Sequence, residues 1–134
     1  MPTFRPATPK DSASIRRVLD EADLHFPGES YEDFFLAEIN HEVVGIARLE
    51  EYKDLFFLTS LGVLKPFQKQ GVATFLLNHL LAGKNKKIYL YTIIPDFFRA
   101  FGFRPAEAIP SSLPAKEIFG CDQCLPGQCF CMVK

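Results

Sequence analysis

The order of strand and helix signals predicts an α+β domain, and three observations carry the prediction. Short β-branched and apolar runs alternate with segments of helical periodicity, and three of the strands follow one another through tight turns as a meander. One strand, containing Leu55-Phe56-Phe57-Leu58, is apolar on both faces, which places it in the middle of a covered sheet. A chain of 134 residues suits one domain, and an apolar share of 48% is enough to build its core.

Residues 3–6 read as a short first strand. Asp11 or Ser12 then caps a helix whose Ile15, Val18, Leu19 and Ala22 fall at i, i+3, i+4 and i+7 on one buried face, and which ends before Pro27-Gly28. Residues 34–39 are an apolar run, Asn40-His41-Glu42 supplies turn chemistry, and residues 43–49 resume with β-branched side chains, so these form an antiparallel hairpin. A second turn at Lys53-Asp54 leads into a strand over residues 55–63. Over residues 72–82 a wide apolar stripe of Val72, Phe75, Leu76 and Leu80, flanked by Ala73, Leu77 and Leu81, marks a helix. Gly83 closes it, and Lys84, Lys86 and Lys87 favour its negative end. Residues 88–92 are a fifth strand, and Pro95 opens a short helix that runs through Phe101 and stops at Gly102. The order is β-α-β-β-β-α-β-α, followed by a cysteine-bearing end.

Charge and composition exclude several function classes. With 15 Lys+Arg against 16 Asp+Glu, the net charge of −1 lacks the basic excess on which phosphate-backbone binding draws, so nucleic acid is not an expected partner. No uninterrupted apolar run approaches the roughly 18 residues of a membrane span, and Arg5, Lys10, Asp11, Arg16, Arg17 and Asp20 already fall in the first twenty residues. A soluble, unsecreted, cytoplasmic protein without a membrane partner is expected.

Residues 1–120 contain no cysteine, and then Cys121, Cys124, Cys129 and Cys131 fall within eleven positions. Bridges there would close only short loops, so the cluster is not a disulfide scaffold. Its Cys-x2-Cys-x4-Cys-x-Cys spacing could wrap one structural zinc, form redox or disulfide pairs, or carry thiols without function, and spacing leaves all three open.

The most informative segment runs from Leu61-Gly62-Val63 through Lys65-Pro66-Phe67-Gln68-Lys69-Gln70-Gly71 to Val72-Ala73-Thr74, joining a buried strand to a helix. Gly71 and Ala73 leave the backbone uncovered at the helix start, where several amides lack internal partners and the dipole is positive. An anion such as a pyrophosphate can dock there on main-chain amides, with Lys69 adding charge from the side. A tight turn with Gly and Ala selected for packing is the other reading of the same residues.

Gln68, Gly71 and Ala73 match the signature that follows the fourth strand in the GNAT superfamily of acetyl-CoA-dependent N-acetyltransferases, and here the chain resembles that family. Phe97-Phe98-Arg99-Ala100-Phe101-Gly102-Phe103 is similar to its Phe-Tyr-x-x-x-Gly-Phe segment. The opening helix after Arg5-Pro6-Ala7-Thr8-Pro9-Lys10-Asp11 and the hairpin strand Val43-Val44-Gly45-Ile46-Ala47 fit as well. The resemblance covers roughly residues 3 to 105. Within the superfamily the pattern looks most like small enzymes related to N-acetylglutamate synthase and, less closely, arsenic-resistance N-acetyltransferases. That likeness is carried by residues 45–50, Leu58-Thr59-Ser60-Leu61-Gly62-Val63, Thr92 before Phe97-Phe98, and Leu113-Pro114.

The resemblance implies a mixed, mostly antiparallel sheet whose central strands part to bind acetyl-CoA, with helices on both faces. It implies an acetyltransferase core over residues 1–105 and a cysteine-containing extension, residues 106–134, packed on the same single domain. Acetyl-CoA would be held by Leu61, Gly62, Val63, Gln68, Lys69, Gln70, Gly71, Val72, Ala73, Thr74 and Phe98, with main-chain amides near residues 61–63 receiving the oxyanion. The acceptor would be a primary amine of a small molecule, for instance an amino acid such as glutamate, with Arg16, Arg17 and Arg48 as candidate partners of its carboxylate. Transfer is direct, since residues 1–120 offer no cysteine for an acyl-enzyme.

Two features depart from the family. Lys65 stands where the family proline usually falls, with Pro66 following, and Phe98 replaces the tyrosine that many members use to protonate the departing thiolate. No Asp or Glu lies on the 55–63 strand, where many relatives keep a base; Glu50 and Glu51 on the adjacent strand are the nearest, and Glu50, following Leu49 at the mouth of the site, is the candidate catalytic base. The short chain suggests a homodimer contact completing the acceptor side. Phe98 and the lack of a base on the 55–63 strand support the rival reading, a catalytically degenerate acyl-CoA- or partner-binding protein with a metal- or thiol-dependent tail.

Overall fold

In the computed structural model, residues 2–22, 31–92, 94–111, 113 and 130–134 are described. The strands are β1 (Thr3–Pro6), β2 (Phe34–Ile39), β3 (Glu42–Glu51), β4 (Leu55–Val63), β5 (Lys87–Thr92), β6 (Arg104–Pro105) and β7 (Phe130–Val133). The helices are α1 (Ser12–Glu21), α2 (Val72–Leu81) and α3 (Pro95–Arg99), with 3-10 turns at Pro9–Asp11 and Lys65–Phe67. The seven strands form one sheet in the order β1-β2-β3-β4-β5-β7-β6, and the α+β expectation holds. Residue contacts gather into two units, Met1–Leu49 with Ser60–Gly83, and Glu50–Thr59 with Lys84–Lys134.

In the first unit β2 pairs antiparallel with both β1 and β3. The β2–β3 hairpin closes from Ile39 to Glu42 through Asn40 and His41, both with positive φ (52° and 66°), the geometry of a type I′ turn that matches strand twist. The turn therefore takes two residues, and β3 starts at Glu42 rather than Val43. Phe4, Ala37 and Gly45 form one row across the three strands, and α2 covers this face: the Phe75 and His79 rings lie on Phe4. A Cβ built on Gly45 would stand 2.8 Å from Cγ1 of Val72 and 3.1 Å from Cδ1 of Leu76, so the missing side chain is what lets α2 lie on β3. Val18, Leu19, Leu36, Ile46 and Leu76 are almost wholly buried in one apolar cluster.

Arg5 projects from the opposite face of β1 and binds Asp11 at the start of α1. Its Nη1 donates to Oδ2 at 2.8 Å and its Nη2 to Oδ1 at 2.9 Å. The Thr8 amide (2.7 Å) and hydroxyl (3.0 Å) donate to the same carboxylate, and Arg5 also pairs with Glu38. Asp11 sits at the cap position of α1, but its carboxylate serves Arg5 and Thr8 instead of the helix amides, because a bidentate guanidinium is the stronger partner. The Arg5 hydrogen bonds, reinforced by Thr8 against the cost of burial, hold the Asp11 carboxyl well below the usual carboxylate range.

A depressed folded-state pKa stabilises the fold above the ordinary aspartate value of 3.8, and that contribution is lost as pH falls below it. Asp11→Asn is expected to cost about 2 kcal/mol near neutrality, less than the roughly 3–5 of a fully buried pair because the Arg5 side chain is 35% exposed. In urea titrations the gap between variant and wild type should narrow as pH drops below about 4.

In the second unit β4 runs parallel to β5 from Leu55↔Lys87 to Leu58↔Leu90, and on its other side β5 pairs antiparallel with β7 from Tyr89↔Val133 to Thr92↔Phe130. β7 is antiparallel to both β5 and β6, and Lys134 closes the ladder by exchanging backbone hydrogen bonds with Ile88. The Lys134 ammonium donates to the Phe101 carbonyl at 2.7 Å and its chain covers Gly102 (φ 93°). Leu55, Phe57 and Leu113 form the core here, with Tyr52, Tyr89 and Tyr91 packed against it. α3 ends at Arg99, two residues earlier than expected, where the chain tightens into turns on the carbonyls of Phe98 and Arg99.

Candidate functional site

The strand-to-helix connection of the first unit contains ten of the twelve predicted site residues. Within β4, Ser60 is buried and left-handed (φ 58°), a conformation a β-branched or bulky residue would resist, and Leu61, Gly62 and Val63 follow it. Leu64 donates its amide to Val44 on β3 at 2.9 Å. The Lys65–Phe67 3-10 turn then takes Pro66 in its first positions, where a missing N–H leaves no bond unmade, so the displaced proline is accommodated without disturbing the turn into α2.

Gln68 turns back and its Nε2 donates to the Val63 carbonyl at 3.0 Å, tying the end of β4 to the loop, while Gln70 Nε2 donates to the Pro66 carbonyl at 3.1 Å. Lys69 (φ 63°) and Gly71 (φ 84°) are both left-handed, and Gly71 is the N-cap of α2. Its carbonyl accepts the first helical bond, from Phe75 at 2.9 Å. The amides of Val72, Ala73 and Thr74 therefore open the helix with no intrahelical acceptor, at its positive end. A Cβ on Gly71 would meet nothing within 4 Å, so this end is uncovered, and Lys65 and Lys69 are both exposed beside it. An oxyanion of a phosphate group fits such a set of main-chain donors.

Glu50 and Phe98 belong to the second unit. Glu50 is half-buried at the end of β3 and accepts a hydrogen bond from the Tyr52 hydroxyl at 3.2 Å. Glu51 is exposed and paired with Lys86 at 2.8 Å, and the same ammonium donates to the Tyr52 carbonyl. The two neighbouring carboxylates thus have different partners, a phenol and a cation. Phe98 is buried edge-to-face against Phe97 and Phe103, with centroids 5.0 and 5.8 Å away, and brings no polar atom. Buried Thr92 accepts a hydrogen bond from the Ile94 amide at 2.9 Å, just ahead of α3.

Among the arginines considered for an acceptor, Arg17 is an exposed partner of Glu42 and Glu21. The Arg48 side chain is only 13% exposed and faces Asp33 at 3.5 Å. His41 lies in the hairpin turn, His79 stacks on Phe4, and His25 lies outside the described residues. Of the cysteines considered for zinc, Cys121, Cys124 and Cys129 lie outside the described residues, and Cys131 pairs with Tyr91 across β7 and β5. Among the described residues no group of three or more His, Cys, Asp or Glu side chains could hold a metal ion, and no helix is long and apolar enough to cross a membrane.

Sequence reasoning missed the left-handed Ser60, which no residue preference signals, and the partnership of Tyr52 with Glu50, which alternation along an extended segment could have suggested.

The fold is shared with solved acetyltransferases of varied acceptors. N-acetylglutamate synthase from Neisseria gonorrhoeae, complexed with coenzyme A and N-acetyl-glutamate, superposes with a TM-score of 0.74 at 21% identity over 100% of this chain and 35% of that one. The chain thus spans about a third of the length of that enzyme. Arabidopsis thaliana Naa50, in complex with the bisubstrate analogue CoA-Ac-MVNAL, gives 0.72 at 21% identity over 99% of this chain and 97% of that one. The ribosomal-protein-S18-alanine N-acetyltransferase from Escherichia coli gives 0.72 at 17% identity, covering 99% and 92%. Residues 30–105, more than half of the chain and including the whole β4–α2 connection, match the family described as Acetyltransferase (GNAT) domain, and the chain belongs to that family.

Proposed function

We propose that this protein transfers the acetyl group of acetyl-CoA directly to the primary amine of a small molecule. The observation that carries the reading is the turn from Gln68 to Ala73, where a left-handed Gly71 opens α2 with uncovered amides and exposed lysines alongside. In this reading the pyrophosphate sits on the amides of residues 71–74 with Lys69 beside it, and the amides of residues 61–63 hydrogen-bond the thioester oxygen as charge develops on it. The amine nitrogen attacks the carbonyl carbon, the C–S bond breaks, and Glu50 receives the amine proton. Phe98 cannot donate a proton, so the sulfur leaves as thiolate; a thiol is acidic enough for that to be tolerable.

An amino acid acceptor such as glutamate is favoured by the N-acetyl-glutamate held by the Neisseria gonorrhoeae enzyme. The peptide analogue on the Arabidopsis thaliana protein makes a protein N-terminus the competing acceptor. The lack of a hydroxyl on Phe98 supports a second reading, an acyl-CoA-binding protein without turnover.

Release of free CoA across a panel of amino acids, polyamines and short peptides separates these readings. Turnover with an amino acid supports the first, turnover with peptides alone redirects the acceptor, and tight binding of acetyl-CoA without thiol release supports the degenerate form. Glu50→Gln is expected to lower kcat about 10²-fold with little change in the KM for acetyl-CoA, the typical contribution of a general base. A wild-type kcat in that variant removes Glu50 from the chemistry.

A further inference from the structure

Two extended residues beyond Glu50, Tyr52 returns on the same side of the chain and donates its phenolic hydrogen to Oε2 of Glu50 at 3.2 Å. A carboxylate can only accept, so the direction of this bond is fixed by chemistry. Tyr52 is held at three further points. Its amide donates to the Leu55 carbonyl at 2.8 Å, its carbonyl accepts from Lys86 Nζ at 2.8 Å, and it packs against the apolar cluster that Leu55, Phe57 and Leu113 form. The hydroxyl is therefore presented from a fixed point, whereas the Glu50 side chain has three rotatable bonds to be restrained.

We propose that Tyr52 is a positioning residue, whose phenol holds the carboxylate of Glu50 in the orientation in which it takes the acceptor's proton. This rests on the assignment of Glu50 as base. The neighbouring pair shows why a phenol suits this role. Lys86 meets Glu51 with a full charge, while Tyr52 restrains the Glu50 carboxylate through a directional hydrogen bond from its hydroxyl. Such a restraint acts on the transition state and not on cofactor affinity, so its removal falls on kcat.

Steady-state kinetics of wild type, Tyr52→Phe, Glu50→Gln and the double variant, with the most active amine of the panel, test this. Tyr52→Phe keeps the packed ring, and its melting temperature and KM for acetyl-CoA should stay close to wild type while kcat falls about five- to tenfold. In the Glu50→Gln background the same change should alter kcat less than twofold, because the group being positioned is gone. An equal fall in both backgrounds overturns the inference, since Tyr52 would then act without Glu50. A slow Glu50→Gln beside an unaffected Tyr52→Phe overturns it while leaving the base assignment standing. A fully active Glu50→Gln, or no CoA release from wild type with any amine, removes both together.

Discussion

Gly71→Glu is expected to raise the dissociation constant for acetyl-CoA at least about a hundredfold, close to 3 kcal/mol, with the fold retained and the melting temperature lowered by about 5 °C through backbone strain. Two effects add. At φ 84° the position is left-handed, where an L side chain costs about 1–2 kcal/mol, and the new carboxylate would stand at the positive end of α2 where a pyrophosphate anion is proposed to bind. The new side chain clashes with nothing in the protein itself, because a Cβ there meets no protein atom within 4 Å. Gly71→Asn separates the two effects: asparagine tolerates the left-handed region and is neutral, so its affinity should stay within several-fold of wild type. Calorimetry finding unchanged affinity for the glutamate variant would move the cofactor away from this turn.

Gly45→Val carries the largest expected loss of stability, about 3 kcal/mol in urea denaturation, with Gly45→Ala nearer the lower end of the roughly 1–3 typical of overpacking. The first added carbon meets Val72 at 2.8 Å and Leu76 at 3.1 Å, and both side chains are themselves buried and cannot swing aside. Val72 is the first residue of α2, so relief of the clash displaces the same helix start that presents the amides. A raised KM for acetyl-CoA should therefore accompany the lost stability. A wild-type KM in a destabilised Gly45→Ala would show that the helix start tolerates the shift.

The bounds of β1, β2 and β4 were legible because alternation and turn residues agree there, and the start of α2 because Gly71 and the apolar stripe fall in register. The 3-10 turn at Lys65–Phe67 was not legible, since three residues carry no period. β6 is two residues long, and the Phe-Cys-Met-Val of β7 was weighed for the thiol of Cys131, although its burial comes from strands far away in sequence. The cofactor half of the site could be read locally because backbone amides at a helix start need only a short motif. The partners of Glu50 and Glu51 could not, because Lys86 meets Glu51 across 35 positions.

The placement of β7 also bears on how the second unit is built. This strand sits between β5 and β6, although both precede it by more than twenty residues, so the middle of that ladder is made by its last segment in sequence. Loop closure over such separations is slow relative to the β2–β3 hairpin, whose ends are two residues apart. A nascent or truncated chain lacking Phe130–Val133 exposes β5 and β6 as bare edges, open to pairing with other chains. Aggregation of chains cut before Phe130 then combines bare strand edges with the loss of the buried Met132 and Val133 side chains, and it should be relieved by supplying the missing strand as a peptide.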